Sequence, residues 1–399
     1  MAALSSPAHT AVPFSGTVPF FSQSASFQQL WPLISSGVEQ VVAHGKYSHG
    51  RQVAELEQAL CAYTGARFAL GVNSGTDALV LLLRAAGLAP GEEVLVPAYT
   101  FIASASAVVL AGGRPVFVDV EPETYAMDPA ALAAAITPRS RFVMPVHLFC
   151  QLADLDGIGA VARRAGLTVV EDSAEAIGMR WGGRHAGLLG AGGVLSFFPT
   201  KTLGALGDAG AVLTDDPGIA ERVAALRHHG RGGRTLDHFP GISNETGLSG
   251  MNSKMDDLQA AVLLAKLTRL DADIARRGEL AARYSARLSR ILGITRLPTV
   301  ITRNTDTVGA YYVYLIEGED RDGLARHLAA RGIETETYYP TPLPFQPCFA
   351  HLGHRRGDFP VAEAAAERAL ALPLYPDLTF AQLDRVCAAV EEFYTGGAR

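Results

Sequence analysis

Positive charge is missing where a secretory signal would carry it. The first 45 residues of this 399-residue chain contain neither Lys nor Arg, and no apolar run follows them, so the expectation is a cytoplasmic protein. Long hydrophobic runs are also lacking. The longest, near Ile102 to Gly113, is too short to cross a bilayer, which argues against a membrane partner. With a net charge of −6 and no basic stripe, nucleic acid is a poor partner as well. Cysteine is scarce: Cys61, Cys150, Cys348 and Cys387 stand far apart with no CxxC pair, which excludes a zinc cluster or disulfide framework and leaves buried free thiols as the expectation. The commoner phosphate loops are absent too. No GxxxxGK[ST] occurs and no GxGxxG follows a strand, so nucleoside triphosphate and dinucleotide enzymes lose ground.

What is present is enough apolar material, 48% of residues, to bury a large core in two domains. Residues 1–20, rich in Ala, Ser, Pro and Thr, read as a loose N-terminal tail, followed by a large domain over 21–265 and a small C-terminal domain over 266–399. From Phe68 onward β-rich runs alternate with helical ones, the pattern of an α/β fold whose mostly parallel sheet is flanked by helices. Strands are expected at 68–72, 93–97, 115–118, 141–148, 167–171, 194–198 and 210–214. Helices are expected at 76–86 and at 128–136, where Asp128 caps and Pro129 occupies the first turn. One long helical run, Met255 to Leu292, should carry the chain into a smaller α/β unit built from 311–316, 323–332, 361–371 and 379–394.

Three segments carry chemistry. In Ser196-Phe-Phe-Pro-Thr-Lys201 and the glycine-rich run after it, a lysine sits among Phe198, Pro199, Leu203 and Gly204, neighbours that do not suit an exposed ammonium; it reads as an amine kept dry to act as a nucleophile. Gly71-Val-Asn-Ser-Gly-Thr-Asp-Ala78 follows a strand and opens a helix, so the amides after Gly75 and Thr76 form an end suited to phosphate; Asn73 or Ser74 could equally be a simple cap. Asp172 ends an apolar strand at its carboxyl end, where open α/β sheets bind ligands, although an isolated Asp there is more often a helix cap. Taken together they meet the needs of an aldehyde cofactor with a phosphate and a basic ring nitrogen, pyridoxal 5′-phosphate.

At this point the chain resembles the nucleotide-sugar aminotransferases of the DegT/DnrJ/StrS family, within the fold type I pyridoxal-phosphate enzymes. The likeness runs from about Val18 to Phe380. It rests on Asn73-Ser-Gly-Thr-Asp-Ala-Leu79, Val96-Pro-Ala-Tyr-Thr-Phe101, Pro145-Val-His-Leu-Phe149, Val170-Glu-Asp-Ser-Ala174, Ser196-Phe-Phe-Pro-Thr-Lys201, Gly250-Met-Asn-Ser-Lys-Met-Asp-Asp-Leu-Gln259 and Tyr339-Pro-Thr-Pro-Leu343.

The resemblance implies that Lys201 binds the cofactor aldehyde as a Schiff base, Asp172 pairs with the ring nitrogen and Phe101 lies against the ring. Gly75, Thr76 and Ser196 would hold the phosphate. Asn252 would reach it from a partner subunit, making a homodimer. Two departures stand out: Glu175 replaces a common Gln near the cofactor's phenolic oxygen, where a carboxylate would repel unless protonated or turned aside, and Pro344 replaces a common His beside the sugar site. His147, His185, His229, Arg231 and Tyr339 are candidates to border the substrate.

The implied reaction is ping-pong transfer of nitrogen from glutamate or glutamine to a keto sugar on a nucleoside diphosphate, in amino-sugar or secondary-metabolite biosynthesis. Lys201 would also shuttle the proton, which requires its ordinary pKa of about 10.4 to be lowered by desolvation or by nearby positive charge. A sugar dehydratase that resembles this family would have His at the lysine position. An aminotransferase for a cyclitol or other non-nucleotide ketone stays open, and a silent regulatory protein with this fold would be expected to lose Lys201 or Asp172.

Overall fold

The computed structural model describes residues 16–231, 246–303 and 306–396. Its centre is a seven-stranded sheet: β1 (Phe68–Val72), β2 (Glu93–Pro97), β3 (Arg114–Val118), β4 (Ser140–Val143) and β5 (Thr168–Asp172), then, past a short hairpin of β6 (Arg180–Trp181) and β7 (Arg184–His185), β8 (Gly192–Ser196) and β9 (Gly210–Thr214). The spatial order is β1-β9-β8-β5-β4-β2-β3, and β9 alone runs antiparallel to its neighbours. Helices cover the sheet, so strands such as β2 and β9 are buried throughout and are mostly apolar.

Two expected strands change their bounds by more than one residue. The run 141–148 pairs regularly only to Val143; past Pro145, which has no N–H to give, Val146 makes a single bridge to Asp172. The strand expected at 194–198 is the ladder 192–196. Gly192 and Gly193 belong to it because a Cβ on Gly193 would stand 2.2 Å from the Gly187 Cα, so close backbone approach explains glycines that look like a strand breaker.

The long helix expected from Met255 to Leu292 is two helices, Asp257–Leu267 and Leu270–Leu288. Between them the Thr268 hydroxyl donates to the Ala265 carbonyl at 2.7 Å, and Arg269 leaves the helical region at φ −118°. Beyond the break, β10 (Ile294–Arg296), β11 (Tyr314–Gly318) and β12 (Ala369–Leu372) form a second, antiparallel sheet in the order β10-β11-β12. The segment 361–371, expected as one element, splits into the helix Pro360–Arg368 and β12. Helices Leu270–Leu288, Arg321–Ala330 and Phe380–Gly396 close this unit around Tyr284, Leu288, Tyr314, Leu328, Leu383 and Val390.

Residues 1–15 of the expected tail lie outside the described residues, but its end is docked. Val18 is fully buried and exchanges backbone bonds with Gly332 and Glu334 at 2.7 and 3.0 Å. The cysteines are free, and only Cys150 and Cys387 are buried; Cys61 is half-buried and Cys348 exposed, which corrects the expectation for those two. No described helix is long and apolar enough to cross a membrane, and no metal-binding cluster occurs among the described residues.

Candidate active site

A cavity of about 400 Å³ opens at the carboxyl ends of β5 and β8, against the start of the helix Gly75–Ala85. Gly75, Thr76, Phe101, Asp172, Glu175, Ser196 and Lys201, far apart in sequence, all line it, together with Tyr339. Ser74 is the helix cap, its hydroxyl accepting the Asp77 N–H at 3.1 Å. The first amides of the helix have no intrahelical acceptor, so the end of the cavity at Gly75 and Thr76 has the form of an anion cradle. Glycine is required beneath it. A Cβ on Gly210 would stand 2.6 Å from the Ser74 carbonyl, and one on Gly75 2.8 Å from Ser196 Cβ.

Asp172 is 5% exposed and accepts the Ser104 hydroxyl at 2.7 Å and the Ala174 N–H at 3.2 Å. Ser104 is fully buried in the first turn of the helix Ile102–Leu110, which Phe101 precedes. Phe101 keeps 56% of its surface exposed while lining the cavity, an apolar face for a flat ring to cover.

Lys201 sits in the turn after β8, with its Nζ 3.1 Å from Glu175 Oε1 and 4.3 Å from the centroid of the Tyr312 ring. Burial pulls the amine down, but the Glu175 carboxylate, Tyr312 and Asp172 outweigh it and lift its pKa to about 12. The expected lowering of Lys201 is therefore reversed in the protein alone: the amine is dry but paired. Glu175, which stands where a Gln is common, lines the cavity with its Oε1 toward the amine. Its Oε2 accepts the Phe149 N–H at 2.9 Å, presented by a left-handed residue at φ 62°.

The other candidates divide. His147 borders the cavity, but its ring is fully enclosed: Nδ1 accepts the Ala153 N–H at 3.2 Å and Nε2 faces Glu171 at 3.0 Å, which makes it structural rather than a substrate contact. His185 is likewise buried, spent on Gly178 and Ala186. Pro344 is buried and does not line the cavity. His229, Arg231 and Asn252 also stand outside it. Asn252 is exposed, accepts from Lys254 and bridges His228, and its neighbour Ser253 bonds Asn73 and Asp77 at the cradle helix. Sequence reasoning missed Thr100, Ser104, Thr200, Tyr312 and Tyr338. Thr100 and Thr200 lie inside the quoted motifs beside Phe101 and Lys201, and Tyr312 lies in the aromatic run Tyr311-Tyr312-Val313-Tyr314.

A family model for DegT/DnrJ/EryC1/StrS aminotransferases matches residues 32–391. The chain belongs to that family. It is 41% identical over 376 residues to the dTDP-3-amino-3,4,6-trideoxy-alpha-D-glucose transaminase of Streptomyces venezuelae, covering 94% of this chain and 96% of that one. It is 39% identical over 380 residues to a Geobacillus stearothermophilus protein named pleiotropic regulatory protein, covering 94% and 98%. Among solved structures, S. venezuelae DesV in complex with a ketimine intermediate superposes with a TM-score of 0.88 at 40% identity, over 95% of this chain and 98% of that one. As a member of this family the protein is an aminotransferase that works with pyridoxal 5′-phosphate. The donor set fits that group: an amine, a buried carboxylate, an uncovered aromatic face and a helix start converge on one cavity.

Proposed function

We propose that this aminotransferase carries nitrogen from glutamate or glutamine to a keto sugar linked to a nucleoside diphosphate, in amino-sugar or antibiotic biosynthesis, as a cytoplasmic homodimer. The observation that carries the reading is the enclosure of Lys201 and Asp172 in one cavity with the Gly75–Thr76 cradle and the Phe101 face. When bound, the cofactor supplies a protonated ring that takes up the electrons of the broken substrate C–H bond. Asp172, held by Ser104, keeps its charge against that ring nitrogen. Gly75, Thr76 and Ser196 would hold the phosphate, and Phe101 and Tyr339, which line the same cavity, would shield the group from water. Lys201 would hold the cofactor through its amine, and that amine, when free, would accept and return the substrate proton.

Asn252 supports the homodimer because it stands exposed beside the cradle helix and outside the cavity, with His229 and Arg231 on the same paired segment. In this reading all three serve the neighbouring subunit. Mixing inactive Lys201→Ala and Asn252→Asp proteins would then restore partial turnover, since half of the sites in each mixed dimer keep both residues. No recovery would refute the trans arrangement.

The name of the Geobacillus relative favours a second reading, regulation without catalysis. Lys201 and Asp172 both stand in the cavity, which speaks for chemistry. The deciding experiment offers a panel of nucleotide-linked 3-keto and 4-keto sugars with L-glutamate and detects product by mass. Amination is expected with wild type and not with Lys201→Ala or Lys201→Arg; turnover retained in both variants, or no conversion of the cofactor by either glutamate or glutamine in wild type, overturns the assignment.

A further inference from the structure

Tyr312 belongs to none of the motifs above, yet its ring centroid lies 4.3 Å from Lys201 Nζ, well within the range at which an aromatic face attracts an ammonium. The residue is 5% exposed and held at two ends. Its hydroxyl lies 3.2 Å from Thr200 Oγ1, on the residue beside Lys201, so ring and amine ride on the same turn. Its carbonyl accepts from Arg277 Nη1 at 2.9 Å, and that buried guanidinium also binds the Leu374 carbonyl at 2.8 Å. The ring is thus held against the turn that carries the amine.

We propose that Tyr312 is a catalytic residue whose aromatic face receives the Lys201 ammonium. The proposal rests on the aminotransferase reading. In the proton transfer the substrate C–H bond breaks, its electron pair stays with the conjugated substrate, and the proton bonds to the Nζ lone pair. The N–H bond then breaks as the proton passes to the neighbouring carbon. Between those events Nζ is a cation, and the ring stabilises it without taking a proton of its own. Other charged and titratable groups share the task of setting that charge. Glu175, Asp172, Asp208, Tyr338, Tyr339 and the enclosed His147 border the same cavity, while Lys266, Arg269, Asp273 and Arg277 line the small space behind Lys201. Glu175 at 3.1 Å is the nearest charged partner, and the Tyr312 ring stands 4.3 Å away.

The test isolates the ring's charge distribution from its shape. The chain has four lysines, Lys46, Lys201, Lys254 and Lys266, so acetylation of each can be followed by peptide mass in protein stripped of cofactor. Only the neutral amine reacts. At pH 8, Tyr312→Phe should leave Lys201 labelling, relative to Lys46, within about twofold of wild type. Tyr312→Leu, or trifluorophenylalanine incorporated at position 312, should raise it about 3- to 30-fold. In the loaded enzyme the fluorinated ring should lower kcat with the KM for glutamate unchanged. Equal labelling for the fluorinated ring and Phe overturns the proposal. So does a Phe variant that departs as far as the fluorinated one, since the hydroxyl would then be the active part. The fluorinated ring keeps the shape of Phe and serves if the Leu variant does not fold. A wild type that failed to transaminate would sink the functional reading while leaving the labelling order intact.

Discussion

Gly210→Ala tests whether the anion cradle depends on the strand that backs it. The new Cβ would stand 2.6 Å from the Ser74 carbonyl carbon and oxygen and 2.7 Å from the Gly75 nitrogen. Ordinary carbon contact begins near 3.5 Å, so relief requires a movement of about 0.8 Å, and the atoms in the way are backbone. Overpacking of this kind costs about 1–3 kcal/mol. Either β9 gives way, and the cost appears as lost stability, or the start of the helix Gly75–Ala85 moves and takes the Gly75 and Thr76 amides with it. Because β9 is fully buried and paired on both sides, the helix start is the softer partner. Cofactor affinity by equilibrium dialysis should therefore fall about tenfold or more, at about 1.4 kcal/mol per decade. Gly278→Ala is the control: that glycine lies mid-helix with nothing within 4 Å of a new Cβ, so the change should stabilise by about 1 kcal/mol and leave affinity unchanged. Wild-type affinity in Gly210→Ala, with an unchanged urea midpoint, would refute the reasoning.

Three further outcomes are expected. Ser104→Ala removes a charge-assisted bond to Asp172 worth about 1.5–3 kcal/mol, so kcat/KM should fall about 10- to 150-fold with the fold intact; an unchanged kcat/KM would show that Ala174 alone holds the carboxylate. Lys201 stands at about 12 against an ordinary 10.5, so in the stripped protein its pairing with Glu175 stabilises fully below pH 10.5, by about 2 kcal/mol, and fades as pH rises through 12; urea midpoints of wild type and Glu175→Gln should converge over that window, and parallel curves would contradict it. His185 is held neutral by burial, its pKa lowered to about 4, so stability present above pH 6.5 is lost as pH falls towards 4, by up to about 3 kcal/mol. The His185→Gln protein should lose less over the same acid titration, and an identical loss would count against it.

Much of the site was legible because its residues obey local rules. Asp172 ends a buried apolar strand, Ser74 and Gly75 open a helix after a strand, and Lys201 follows an apolar run into a glycine-rich turn. Those signals are written within a few neighbours of each residue. Ser104 and Tyr312 carry no such signal: a serine in an apolar helix and a tyrosine in an aromatic run look like core until the helix lies against β5 and the small unit lies against Lys201. The helix break at Thr268-Arg269 was hidden because continuous amphipathic periodicity runs across it, while one hydroxyl bond to Ala265 competes locally.

The amino-acid sequence by itself determined the layered α/β architecture and the cofactor class, and it singled out Lys201 and Asp172, which the fold brings to one cavity, since periodicity, strand ends and ordered motifs act over short spans of chain. The protonation of Lys201 was decided only in three dimensions. Glu175 and Tyr312, 26 residues before it and 111 after it, reach the amine through separate elements of the fold, and at 3.1 and 4.3 Å their attraction exceeds the burial that sequence reasoning took to be decisive.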